Sequence, residues 1–155
     1  MPVKILLRPA EKDDIKPIVA MLADDKLGRQ RENYIQPLPK EYFLAWQEIK
    51  EDVNNELVVA CAEKVIVGVL QITFIPNLTY QGSKRAQIEG VRVHKAYRSK
   101  GVGKQLFEWA IHRARENNCR LVQLTTNKSR AEAKSFYESL GFVASHDGMK
   151  LDLAP

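Results

Sequence analysis

Arg98-Ser99-Lys100-Gly101-Val102-Gly103-Lys104 is the stretch of this chain whose residue types and spacing could do chemistry. Glycines two residues apart let the backbone turn tightly and bring its N–H groups close to a ligand. Three cations bracket them, so the ligand expected here is an anion of phosphate type. Two familiar phosphate loops do not fit. A P-loop needs four residues between its glycines followed by Lys and Ser or Thr, and a dinucleotide fingerprint needs a third glycine where Leu106 stands. Without its context the pair could equally be a plain strand-to-helix turn. Farther along, Tyr137 could give a proton and Glu89 could take one. Tyr137 also reads as a half-buried core tyrosine, and Glu89 as the partner of Arg85 or Arg92. His94, His112 and His146 are scattered and read as surface residues. Cys61 and Cys119 share no metal-ligand spacing with them, so no metal is expected.

These residues must be held by a fold, and 155 residues with 45% hydrophobic content suffice for one core. A single domain over 1–155 is expected. No apolar run approaches the roughly 18 to 20 residues of a spanning helix, and no membrane association is expected. Two cysteines in apolar runs suit a reducing, cytoplasmic setting. The net charge of +5 is concentrated between Arg92 and Lys104. So local a cluster beside glycines suits a small phosphorylated ligand better than nucleic acid, which is not expected as a partner.

The patterning predicts the following elements. Val3 to Leu7 is a strand, broken at Arg8-Pro9-Ala10. A helix to Leu22 buries Ile15, Ile18, Val19 and Leu22. Residues 23–38 form a loop or a short helix, and a helix starting at Pro39 turns Tyr42, Phe43, Trp46 and Ile49 inward. Glu56–Ala62 and Val65–Phe74 make a hairpin closed by Glu63-Lys64. Ala86–Val93 is a strand on which Glu89 and Val91, two residues apart, share one face, and it leads into the glycine loop. An amphipathic helix from Val102 buries Leu106, Phe107, Ala110, Ile111 and Ala114. Leu121–Thr125 is a strand, and Ser129-Arg130-Ala131-Glu132 is a capping box opening a helix that Gly141 stops. Phe142 to Leu153 is a last strand region turned at Asp147-Gly148. The fold class is α/β (α+β): a mixed, largely antiparallel sheet flanked by about four helices.

Arg-x-x-Gly-x-Gly after a Val-Arg-Val strand end, followed by Asn127, Ala131 to Ala133 and Phe136-Tyr137-Glu138-Ser139-Leu140-Gly141-Phe142, resembles the GNAT superfamily of acyl-CoA-dependent N-acyltransferases. That resemblance covers the C-terminal half closely; the N-terminal half agrees in element order and in its Leu-Arg-Pro-Ala start. It implies a GNAT-like domain that uses acetyl-CoA as cosubstrate. Val91, Arg92 and Val93 would run beside the pantetheine arm like an added strand. Arg98, Ser99, Lys100, Gly101, Val102, Gly103 and Lys104 would wrap the pyrophosphate, and Asn127 would hydrogen-bond the pantetheine, with Phe136 also counted among the cosubstrate-binding residues. Tyr137 would protonate the leaving thiolate, and Glu89 is the candidate base. The acceptor is a primary amine, held by the segment Asp24 to Tyr34 with the central strands. Asp24, Asp25 and Glu32 there suit a cationic acceptor, Arg29 and Arg31 an acidic one, and a merely solvated loop fits as well. A small molecule is the leading reading; a peptide or protein N-acetyltransferase and a non-catalytic acyl-CoA-binding module are the alternatives. Dimers through strand or helix edges are common in proteins of this resemblance, so a homodimer is open.

Overall fold

Alternation along the two central strands explains the architecture. Side chains of successive residues point to opposite sheet faces, so Val58, Ala60, Gly68, Leu70, Ile72 and Phe74 lie on one face, and Leu57, Val59, Cys61 and Val69 on the other. Both sets are apolar, and a sheet with two apolar faces must be covered on both. The computed structural model describes residues 4–155, and its contacts divide the chain into two units, one reaching Gln123 and one from Leu124.

The first unit carries a five-stranded sheet in sequential order: β1 (Leu6–Pro9), β2 (Asn55–Ala62), β3 (Val65–Ile75), β4 (Lys84–Val93) and β5 (Cys119–Gln123). The first three pairings are antiparallel and β4–β5 is parallel. The expected mixed, largely antiparallel sheet is therefore present. On the first face lies α5 (Val102–Glu116), which buries Val102, Leu106, Phe107, Ala110 and Ala114. Full burial of a Leu or Phe side chain contributes roughly 1.5 to 3 kcal/mol, so this stripe anchors the helix that follows the glycine loop. The β3 backbone is met closely there, because a Cβ at Gly68 would press on Leu106 and Val102 at 3.0 and 3.1 Å. Against the opposite face pack α1 (Ile15–Leu22) and α3 (Lys40–Glu51), whose Ile15, Ile18, Val19, Tyr42, Phe43 and Trp46 cluster with Val59, Cys61 and Val69.

Several expectations are corrected. The first strand sits at Leu6–Pro9, with Pro9 paired to Val58 instead of breaking the pattern. An outermost strand tolerates a proline, which has no N–H to place in the ladder. Val3 lies outside the described residues. Part of residues 23–38 forms a short helix, α2 (Lys26–Arg31), capped by the Asp25 carboxylate on the Gly28 N–H at 2.5 Å. Gly28 is buried inside this helix, and a Cβ there would collide with the Leu22 carbonyl oxygen. Between β3 and β4 the chain makes a single turn, α4 (Thr79–Gly82), with Tyr80 and Gln81 at positive φ.

The second unit, taken by itself, contains α6 (Ala131–Ser139). With it the described residues hold six helical segments rather than about four; α2 and α4 are the short extra ones. The predicted capping box does not form. Asn127 Oδ1 takes both the Ser129 N–H (2.9 Å) and the Ser129 hydroxyl (2.7 Å), which draws Ser129 into a turn and leaves Arg130 at the cap. At the other end Gly141 (φ 98°) closes the helix as expected. The Phe142 N–H reaches the Tyr137 carbonyl at 3.1 Å and the Gly141 N–H reaches Glu138 at 3.0 Å, a Schellman motif. The last strand region is also corrected: residues 142–153 form no strand, and Val143, Met149, Leu151 and Leu153 are exposed. Alternation is a local signal, whereas a strand exists only through hydrogen bonds to a neighbour.

Candidate active site

Along β4 the sequence Glu89-Gly90-Val91-Arg92-Val93 departs from simple alternation. Glu89 pairs with Gln71 and Arg92 with Val69, so Gly90 and Val91 together oppose Leu70. This is a β-bulge, made possible by Gly90 at φ 62°. The bulge overturns the expectation that Glu89 and Val91 share a face; Arg92 is the residue on Glu89's side. Glu89 is exposed and forms no ion pair among the described residues.

The His94 N–H bonds the Val67 carbonyl at 2.8 Å. In an antiparallel ladder every second residue turns its N–H and C=O to the same neighbour. Val93, between Arg92 and His94, therefore turns its own away from β3, while Val91 lies within the bulge. The pairing of β4 with β5 ends at Gln87–Gln123, before either valine. The Val91 carbonyl accepts from the Arg92 guanidinium at 2.8 Å, and the Val93 carbonyl receives Arg98 Nε at 3.4 Å.

After a 3-10 turn at Lys95–Tyr97, which His94 Nδ1 caps by accepting the Ala96 N–H at 3.1 Å, the chain enters the glycine loop. Ser99 (φ 60°) and Gly101 (φ 82°) are both left-handed, separated by Lys100. For serine that conformation is strained, and such strain concentrates at ligand sites. Successive N–H groups in such turns can line an anion-binding concavity. Gly101 is the cap of α5 and has no side chain to fill the first-turn N–H groups of Val102, Gly103 and Lys104. A Cβ at Gly101 would meet nothing within 4 Å, so the loop is open on that side. No acid stands in the first turn of α5. Arg98, Lys100 and Lys104 are exposed, with Lys100 Nζ over the Tyr97 ring, 5.3 Å from its centroid. Backbone donors, a helix dipole and three cations thus converge on what would fit a pyrophosphate.

In the second unit, Tyr137 is half-buried, its ring 5.7 Å from that of Phe136 and 6.2 Å from that of Phe142. Asn127 is exposed, and with its Oδ1 taken by Ser129 it has Nδ2 left as a donor. The acids of the acceptor segment are partly committed: Asp25 caps α2, and Glu32 accepts the Tyr42 hydroxyl at 2.8 Å. Burial, opposed by the Asn33 N–H, holds that phenol above its ordinary range. Asp14, which sequence reasoning did not single out, is the buried carboxylate of the first unit. Burial pushes its carboxyl up, but hydrogen bonds from Arg8 (2.6 and 3.0 Å) and the Glu11 N–H (2.7 Å) outweigh this and hold it below the usual range. Its role is to pin β1 to α1. A groove of about 360 Å³ opens at the β1 edge beside Trp46 and Trp109, away from the loop. Among the described residues no group of three His, Cys, Asp or Glu could hold a metal ion, and no helix is long and apolar enough to cross a membrane.

The model of the acetyltransferase (GNAT) family matches residues 22–142, which include the bulged strand, the glycine loop and α6. The chain belongs to the GNAT family of acetyltransferases. A glucosamine 6-phosphate N-acetyltransferase of Trypanosoma brucei brucei is 35% identical to this GNAT chain over 88 residues, 57% of the chain and 58% of that relative. An aminoalkylphosphonate N-acetyltransferase of Salmonella typhimurium is 28% identical over 95 residues, 61% of each. The GNAT chain thus spans about 60% of the length of these curated relatives. Among solved structures, a protein of Bacillus halodurans C-125 described as a transcriptional regulator is 57% identical, with a TM-score of 0.94, covering 97% of this chain and 100% of its own.

Proposed function

We propose that this protein is an N-acetyltransferase that uses acetyl-CoA to acetylate the primary amine of a small molecule. The observation that carries the reading is the uncapped, acid-free start of α5 behind two left-handed residues, Ser99 and Gly101, directly after the end of β4, where Val93 turns its backbone N–H away from β3. Arg98 to Lys104 would hold the pyrophosphate, and Val91 to Val93 would run beside the pantetheine arm, with Asn127 Nδ2 as a donor and Phe136 as an apolar contact. Bound acetyl-CoA supplies the thioester whose acyl carbon the amine attacks. Glu89, exposed on β4, accepts the proton of the amine directly or through a water. A Val91 N–H suits the oxyanion, and the Tyr137 phenol gives a proton to the departing sulfur. One domain over 1–155 and a cytoplasmic setting complete the reading.

The test is thermal unfolding with and without acetyl-CoA. Ligand at a hundredfold excess over Kd raises stability by about 2.7 kcal/mol, and the absence of any shift at millimolar ligand removes the reading. Tyr137→Phe is expected to lower kcat roughly 100-fold while the shift persists; an unchanged kcat assigns the proton to another group.

The name carried by the 57% identical Bacillus halodurans protein favours a second reading, nucleic-acid binding in transcription. It requires DNA affinity that falls steeply with salt. DNA binding that acetyl-CoA neither competes with nor alters would support it.

A further inference from the structure

The sheet face opposite α5 is divided. Toward β1 it is apolar and covered by α1 and α3; toward β4 it is mainly polar, with Ile75 and Leu121 beside Arg85 as apolar members. Pairing puts Asn55 beside Thr73, Thr73 beside Gln87, Gln87 beside Gln123, and Gln71 beside Glu89, so all six share this face, together with Arg85. On the other side of β4, Ala86 and Ile88 are apolar and buried, after Lys84 at the start of the strand. Polar side chains at positions that would otherwise suit a core need a reason.

These groups hold one another in fixed orientations. Asn55 Oδ1 accepts from Gln71 Nε2 (3.0 Å) and from the Thr73 hydroxyl (2.7 Å). Gln123 Nε2 donates to Gln87 Oε1 at 2.7 Å, and Gln123 Oε1 accepts from Arg85 at 3.2 Å. Asn55, whose Nδ2 donates to Asp52 at 2.7 Å, Gln87, whose Nε2 reaches the Ile88 carbonyl at 3.5 Å, and Gln123 are engaged at both ends of their amides, whereas Gln71 is tied through Nε2 alone, which leaves its Oε1 and the Thr73 oxygen as acceptors. Neighbouring acceptors and donors suit hydroxyl groups, which can both give and take a hydrogen bond.

The charges on this face are separated as well. Arg85 is half-buried, and its partners are neutral: Gln123, the Thr79 hydroxyl at 3.1 Å and the Tyr80 ring. Four residues along the same strand stands exposed Glu89, about 13 Å away at roughly 3.3 Å per residue. Arg92, beyond the bulge, turns a nitrogen to the Val91 carbonyl. Arg85 with only neutral partners at one end, Glu89 at the other with Arg92 beside it turned to the Val91 carbonyl, and neutral amides between them match a ligand of the opposite polarity.

We infer that the acceptor is a hydroxylated primary amine carrying an anionic group, lying along β4 with its amine toward Glu89 and its anion toward Arg85. This rests on the acetyltransferase reading. The experiment measures thiol release from acetyl-CoA with glucosamine 6-phosphate, glucosamine, spermidine and a lysine peptide. The phosphorylated amino sugar is expected to show a kcat/KM at least tenfold above the other three, and Arg85→Met to reduce its advantage over glucosamine to near unity. The acetyl-CoA thermal shift of that variant confirms that it folds, and Arg85→Lys should restore part of the preference. Equal or better use of spermidine or peptide overturns the inference, as does a phosphate preference that survives Arg85→Met. Stabilisation by acetyl-CoA with no acetylation of the sugar also overturns it while leaving the wider reading in place. Failure to bind acetyl-CoA removes both.

Discussion

The starts of α2 and α5 are built in opposite ways. At α2 the Asp25 carboxylate sits on the Gly28 N–H, so a negative group fills the positive end of the helix. At α5 the corresponding position is Gly101, with no side chain, and the residues around it are Ser99, Lys100 and Lys104, with no acid in the first turn. One helix start completes itself. The other has no side chain on its donors, and among the described residues only Glu108, 3.9 Å from Lys104, opposes its positive charge, a state that an anion from outside would stabilise. The same sequence thus separates a self-capped helix start from an open one by what it withholds.

Three substitutions probe this contrast. Gly101→Val should have the largest effect, because a β-branched residue at φ 82° is strained by roughly 1 to 2 kcal/mol and reshapes the loop. Acetyl-CoA affinity should fall tenfold or more, read by titration calorimetry; undiminished affinity would remove the loop from the site. Asp25→Ala should cost about 1 kcal/mol in urea unfolding. Its acetyl-CoA affinity should match that of the parent, and a large loss would tie α2 to the cosubstrate after all. Lys104→Glu should have the smallest effect on stability, because the acid complements the helix dipole by about 0.3 to 1 kcal/mol but loses the Lys104–Glu108 pair and sets two acids four residues apart. Acetyl-CoA should bind it more weakly, and undiminished affinity would break the comparison.

The glycine turn that opens α5 was legible because its signals are local: glycine spacing, clustered cations and a 3.6-residue apolar period from Val102 all lie within one stretch of chain. The hairpin at Glu63-Lys64 and the helix stop at Gly141 were legible for the same reason. What escaped was decided between segments. The bulge at Gly90 depends on how β3 and β4 register, and nothing in Glu89-Gly90-Val91 alone distinguishes a bulge from a continuous strand. Ser129 carries a capping signature, but Asn127 competes for it two residues earlier. Met149-Lys150-Leu151-Asp152-Leu153 alternates like a strand, yet alternation cannot supply a neighbour. The polar half of the sheet did leave a trace, since Gln71 and Thr73 alternate with Ile72 and Phe74 just as Arg85, Gln87 and Glu89 do with Ala86 and Ile88. Two strands polar on one face and apolar on the other, if paired, must build a polar patch.

The sequential order of the strands also bears on how the molecule acquires its shape. From β1 to β4 each strand pairs with the one before it, and the crossover to β5 through α5 comes afterwards. The β2–β3 hairpin closes a loop of two residues, which makes it the cheapest contact in the sheet to form. During synthesis the four antiparallel strands can zip together as they leave the ribosome. The glycine loop, by contrast, takes its final form only after all of α5 has emerged and docked, so a ligand held there would report that the sheet behind it is already built.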